Sequence, residues 1–400
     1  MTRFAPILIL LLTGSLCAQT VELPVDTKGL NERLLKQDQR YDELLARIHV
    51  LENAKHTQSR INVLDYGCQP DDPKFDNGPL INAILANCGL KQGNHREEIY
   101  FPGGRYYHST PIVFPTRTGL SVVGNGCGPS FNGNAYFGNS QFGGPRTTWI
   151  YTGSPKEAAV TFPGAGTYLR GINLERGEYT HPRTDAKADG SVGLKVTCYT
   201  GMPSSLSLIE FLQISGFDIG VQSARRSPDS TVNNNSDNLH FGHVLMQNNN
   251  VAFSLNNYQA VDWTFDHCHF AFQTRVAFDC IEVAHVQCSY AVFNSEGIII
   301  ARVGEPGNPR RPTSNNAWLD FSHCKVDPTC KEWTLLEQRV PCTFALDAKV
   351  FAGNKHVLDE KLIKVCDNTG YGRTIRAEAL QHGMWSNWQD GKWVPAGGAK

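Results

Sequence analysis

The 400 residues hold 37 Lys and Arg against 38 Asp and Glu, a near-neutral balance that argues against nucleic acid or anionic lipid as the partner. Glycine is abundant, at 37 residues, as suits a fold with many tight corners. No segment reaches the roughly 18 apolar residues of a membrane helix, so the chain is expected not to span a bilayer.

Residues 1–18 read as a secretory leader: Arg3, then the apolar run Ile7 to Leu12, then small residues near Ala18. Leu16 stands where a lipoprotein signal would want a small residue before Cys17. An exported, extracellular or periplasmic chain is expected. Export makes disulfides chemically feasible, and Cys68 with Cys88 and Cys330 with Cys342 are loop-side candidates whose connectivity the sequence leaves open.

Residues 19–58 form a linker and a helix. Leu30, Leu34, Gln37, Tyr41, Leu44, Ile48 and Leu51 step by fours and threes, the seam of about three heptads of coiled coil. Arg47, Ile48, Leu51 and Glu52 resemble a short trimerisation motif, in which the arginine stem covers the apolar seam. A homotrimer is therefore expected, with a lone helix lying on the body as the alternative.

From 59 to 370 the chain reads as one β domain. Ile61 to Gly67 leads through Asp71, Asp72 and Asp76 to a helical run, Pro79 to Asn87. Then come Ile99 to Tyr107 (Ile-Tyr-Phe-Pro-Gly-Gly-Arg-Tyr-Tyr), Pro111 to Val113 and Leu120 to Gly126. This succession resembles the opening of the pectate lyase superfamily module, shared by pectin-degrading enzymes, polygalacturonase-like hydrolases and phage tailspikes. The resemblance implies an all-β, right-handed single-stranded parallel β-helix with an N-terminal capping helix. Asp76 is placed to cap the helix, with Pro79 in its first turn. The helix would cover the open end of the solenoid, whose strands otherwise invite edge pairing. Pro73 and Lys74 interrupt the ligand spacing of a calcium loop, so no cofactor is expected, with calcium left open at this acidic cluster.

Residues 127–146 are loop-like and rich in glycine, asparagine and aromatics. Short strands follow at 148–151, 158–162, 169–174 and 192–196, separated by polar excursions at 178–190 and 225–237. Insertions on one side of successive coils would build the walls of a groove.

Between Leu239 and Val326 an apolar frame returns four times. It reads Leu239, Phe241, Val244, Met246; Trp263, Phe265, Cys268, Phe270; a weaker Val283, His285, Cys288, Tyr290; and Leu319, Phe321, Cys324, Val326. Ile209, Phe211 and Ile214 fit its first half. Period 2 on either side of a two-residue break predicts two strands joined by a bend, each burying one face. A return every few tens of residues is the pattern of coils that bury their inner faces against one another. Cys268, Cys288 and Cys324 stand at frame positions, as a buried thiol stack.

Residues between the buried ones face outward. At the centre of the first strand these are Glu210, His240, Thr264, Ala284 and Asp320; before it stand Asp262 and Trp318; after it Leu212, Gly242, Asp266, Val286 and Ser322. His243, His267, Gln287 and His323 make a polar column at the bend. Alternation sends adjacent residues to opposite faces, so no metal set is assigned to His267, Cys268 and His269. Glycoside cleavage uses two carboxylates about 5 to 10 Å apart, which makes Glu210, Asp262 and Asp266 the candidate catalytic groups, with His240 as helper. Arg275, His243 and His267 are the candidate substrate-binding residues, and Arg170 is a second arginine able to neutralise an acidic sugar. The motifs that mark polygalacturonase-like hydrolases are missing: there is no Asn-Thr-Asp, Gly-His-Gly or Arg-Ile-Lys.

The tail, 371–400, holds Trp385, Trp388 and Trp393 around Asp390 and Gly391, a terminal hairpin that caps the last coil or stacks on sugars. The expected function is that of an exported carbohydrate-active protein, hydrolase or lyase, acting on a polysaccharide. The alternative is a non-catalytic trimeric surface or matrix protein that binds glycans.

Overall fold

The computed structural model describes residues 60–90, 98–115, 120–126, 146–162, 166–177, 185–197, 207–223, 238–255, 260–272, 274–280, 284–304 and 317–338, and beyond these the backbone of five strands ending at Pro395. The expected leader, the coiled coil, the loop after Gly126 and the excursion 225–237 lie outside the described residues.

The chain is a right-handed parallel β-helix. Among the described residues three sheets hold 13, 9 and 8 strands, and between Glu98 and Gln338 each coil adds one strand to each sheet. One coil shows how. Leu239–Gly242 joins the first sheet, His243 turns the chain, Leu245–Gln247 joins the second, Asn248 turns it again, and Val251–Leu255 joins the third. His243 and Asn248 each take a left-handed φ, 53° and 55°, which ends one strand and re-aims the next within a residue or two.

In-register stacking builds the core. Phe241 pairs with Phe265, Phe265 with Cys288, and Cys288 with Phe321, all buried. Rings of successive coils lie flat on each other, with centroids 5.2 Å apart for Phe241 and Phe265 and 5.0 Å for Phe270 and Phe293. Each such ring removes a large apolar area from water and adds stacking of about 0.5–1.5 kcal/mol.

The frame of the third coil is Val286, Cys288, Ala291, Phe293, all buried, and not Val283, His285, Cys288, Tyr290. Tyr290 is 50% exposed and is the left-handed corner residue. In the coil before Leu239 the buried bend residue is likewise Leu212, and Phe211 is the corner. Leu212 and Val286, expected outside, are therefore inside. Cys288 sits in the first strand of its coil while Cys268 and Cys324 sit at the bend, yet the thiols still meet: Sγ of Cys324 is 3.9 Å from Sγ of Cys288. Burial pushes the Cys268 thiol up to about 12. Cys68 is buried with a free thiol, and the Cys330 thiol is also free.

The helix Gly78–Leu90 buries Ile81, Ile84 and Leu85. Asp76 accepts hydrogen bonds from the Gly78 amide (3.0 Å) and from the hydroxyls of Ser109 and Thr110 (2.7 Å each), which hold its carboxyl below the usual range against its partial burial. Asn82 donates to the Pro111 carbonyl and accepts from the Val113 amide, so a side chain completes the edge strand Ile112–Val113. Asp71 does the same for Arg105 through its main chain and carboxylate. Gly104 takes φ +149°, and a Cβ there would lie 2.6 Å from Pro70. Toward the C-terminus Thr374–Ala379 pairs parallel with Cys342–Leu346, and Met384–Gln389 and Lys392–Pro395 add two antiparallel strands. No helix among the described residues is long and apolar enough to cross a membrane.

Candidate functional site

The outer face of the first sheet carries two adjacent polar columns. One runs Tyr168, Leu208, His240, Thr264, Gln287, Asp320; the other Arg170, Glu210, Gly242, Asp266, Ser289, Ser322. Glu210 thus stands in line with Asp266 and not, as the sequence frame had it, with His240. The reason is the corner at Phe211: Ile209 lies opposite Phe241 and not Leu239, so the frame of this coil is displaced by two residues.

Glu210 Oε2 accepts a hydrogen bond from the Tyr168 hydroxyl at 3.0 Å, and burial together with that carboxylate holds the phenol above its ordinary range. His240 Nδ1 lies 2.9 Å from Thr264 Oγ1. Gly242 supplies no side chain, and the space where its Cβ would be lies 3.1 Å from His240 Nε2 and 3.6 Å from Glu210 Oε1. An acid and an imidazole therefore face one notch. Asp266 flanks the notch on the other side, one rung from Gly242, which at about 4.8 Å per rung puts the Glu210 and Asp266 backbones roughly 10 Å apart. Asp266 Oδ2 also pairs with His267 Nδ1 at 2.9 Å.

A ladder of rings borders these columns at the corner between the first and second sheets. Arg170 lies 4.9 Å over Phe211; Phe211 stacks on His243 at 4.7 Å, His243 on His267 at 5.0 Å, His267 on Tyr290 at 4.9 Å, and Tyr290 on His323 at 4.9 Å. All five rings stand on left-handed residues, with φ between 50° and 55°. The sequence frame found His243, His267 and His323 but put Gln287 where Tyr290 stands. Partial burial and the neighbouring His267 lower the His243 pKa.

The other candidate residues stand apart from the notch. Asp262 is exposed at a bulge before Trp263, with φ 58°, beyond the end of the paired columns. Arg275 opens a strand of the third sheet, and its Nη2 reaches Asp185 Oδ2 at 3.4 Å across an exposed surface. Tyr168 was not singled out from sequence, although strict alternation from Leu169 would have placed it outward. Asp72 accepts from the Lys74 amide, so the Asp71, Asp72, Asp76 cluster spends its oxygens on backbone and hydroxyl donors. Among the described residues no group of three or more His, Cys, Asp or Glu converges as a metal site.

Residues 60–174 match the family model described as rhamnogalacturonase A/epimerase, pectate lyase-like. No curated protein sequence matches the chain. Solved structures with a similar course include the tailspike protein gp49 of Acinetobacter baumannii bacteriophage Fri1, a capsular polysaccharide depolymerase, at 12% identity and TM-score 0.46; the match covers 74% of this chain and 52% of the tailspike. The surface adhesin PfbA of Streptococcus pneumoniae matches at 10% identity and TM-score 0.41, covering 84% of this chain and 98% of the adhesin. The catalytic unit of a GH87 α-1,3-glucanase from Streptomyces thermodiastaticus matches at 12% identity and TM-score 0.41, covering 74% and 55%. This chain spans about half the length of the gp49 tailspike. Residues 60–174 therefore carry a pectate lyase-like module, the opening coils of a right-handed parallel β-helix.

Proposed function

We propose that this protein is an exported carbohydrate-active enzyme that cleaves a polysaccharide lying across the outer face of the first sheet. The observation that carries the reading is the notch at Gly242, faced by Glu210 Oε1 and His240 Nε2 and flanked by Asp266. In an inverting hydrolase the two carboxyl groups stand about 6.5–9.5 Å apart to leave room for a water, a spacing that backbones two rungs apart allow. Glu210, oriented by Tyr168, protonates the leaving oxygen; Asp266 activates the water; His240, fixed by Thr264, positions the substrate hydroxyls. His243 and His267 border the bound sugar, Arg170 neutralises an acidic one, and Asp262 and Arg275 contact more distant parts of the chain. The pectate lyase-like character of residues 60–174 supports a saccharide substrate without naming it.

The test incubates the purified protein with neutral and uronate-rich polysaccharides, with and without calcium. New reducing ends without an unsaturated product identify a hydrolase, and reducing ends with the ultraviolet absorbance of an unsaturated uronate identify a lyase. Loss of activity on calcium removal would add the metal to the site. Binding without any product favours the second reading, a non-catalytic glycan-binding surface protein, which the exposed ring ladder also supports. Trimer formation through residues 19–58 belongs to the same proposal. Light scattering of the full chain and of one beginning at Ser59 tests it: equal masses exclude the helix as the organiser.

A further inference from the structure

The same outer face continues past the notch. From Gly242 its floor is lined by short side chains, through Asp266 to Ser289 and Ser322, whose hydroxyls meet at 2.9 Å. Three rungs from Gly242, about 14 Å along the axis at 4.8 Å per rung, Trp318 projects from the first strand of its coil with 53% of its surface exposed. The ring of His285 braces its indole from the preceding coil, with centroids 5.9 Å apart and planes 65° from parallel. Two residues further along the strand, on the same outward face, stands Asp320. Tyr290, 50% exposed, borders the opposite edge of the floor.

An exposed indole packed at a steep angle against an imidazole, two residues along the strand from a carboxylate, has the chemistry of a sugar subsite. The apolar ring face takes the C–H face of a pyranose while the oxygens take its hydroxyls. We propose that Trp318, with Asp320 beside it, is a distal glycan-binding subsite that holds a sugar of the same polysaccharide chain about three rungs from the point of cleavage. The inference rests on the proposed function and extends it: a chain reaching from the notch to Trp318 runs obliquely over the sheet, about 14 Å along the axis and, at about 3.3 Å per residue, roughly 13 Å across it from the Gly242 column, and is engaged at an internal stretch, so the protein acts within a polysaccharide and not from its end. Partial burial raises the pKa of the Asp320 carboxyl above its ordinary value.

Trp318→Ala and Trp318→Phe in the full chain, measured against the wild type by retardation in polysaccharide-containing gels and by product length, test the subsite. The expected result is about a tenfold or greater loss of affinity in Trp318→Ala, largely restored in Trp318→Phe, with a raised KM for long chains and products of mixed length from the wild type. Wild-type affinity in Trp318→Ala overturns the subsite while leaving the notch standing. Release of single sugars from a chain end overturns the internal binding. A wild type that neither binds nor cuts any glycan removes both readings. A lower mass of Trp318→Ala in light scattering overturns the subsite in favour of a contact between copies of the chain.

Discussion

The imidazoles of His243 and His267 lie face to face, with centroids 5.0 Å apart and planes within 5° of parallel, and Asp266 Oδ2 lies 2.9 Å from His267 Nδ1. Two stacked imidazoles resist carrying charge together. Partial burial and His267 lower the His243 pKa, His240 adds to that, and Asp266 and Glu210 oppose it. His243 should therefore titrate below a free histidine. In an NMR titration, His267→Gln is expected to raise its midpoint and Asp266→Asn to lower it; an unmoved midpoint in both would mean the rings do not sense each other.

Replacing the carboxylates of the notch should separate chemistry from stability. Glu210→Gln and Asp266→Asn are each expected to lower turnover by about 10² or more while leaving the melting curve nearly in place, because both side chains face outward. Asp262→Asn, measured alongside, shows whether the bulge carboxylate takes part. Full turnover in both notch variants would remove the pair from the mechanism.

Phe265 should behave in the opposite way. Its ring stacks on Phe241 at 5.2 Å and meets Phe253 and Phe278 edge-on at 4.7 and 4.9 Å, with 1% of its surface exposed. Phe265→Ala should cost about 3–5 kcal/mol in denaturant unfolding, since rigid coils above and below cannot close over the cavity. A loss under about 1 kcal/mol would contradict the packing of this rung.

Two buried histidines and one glutamate set the pH dependence of stability. Burial lowers His108 and His269 from 6.5 to about 4. Their neutral forms stabilise the fold above pH 6.5, and that stability is lost as pH falls from 6.5 through 4, by up to about 3 kcal/mol each. Burial raises Glu175 from 4.5 to about 7, and its Oε1 is sealed from solvent with no hydrogen-bond partner. That contribution has the opposite sign: it is present below pH 4.5 and lost as pH rises through 7. Glu175→Gln should thus raise the Tm at pH 8 and leave it little changed at pH 4, while wild-type Tm falls between pH 6 and 4. A Tm independent of pH on the acid side would contradict buried, neutral histidines.

The sequence alone determined the inward half of this protein. An inner face must be apolar at every second residue, and that is a local rule, so Phe241, Trp263, Phe265, Leu319 and Phe321 announced coils, and the capping role of Asp76 was legible from its place before a helix. The Asp-Gly pair between Trp388 and Trp393 likewise announced its hairpin. The corners were decided only in three dimensions. Which residue takes the left-handed conformation is settled by how each coil closes on the one beneath it, and the chain uses Phe211, His243, His267, Tyr290 and His323 where glycine or asparagine is the usual signal. A corner displaced by an odd number of residues turns a strand inside out, and one displaced by two moves a side chain to the next column of the same face. That is why Tyr290 was read as core, Leu212 and Val286 as surface, and Glu210 as a neighbour of His240 alone, until packing set it in line with Asp266 across Gly242.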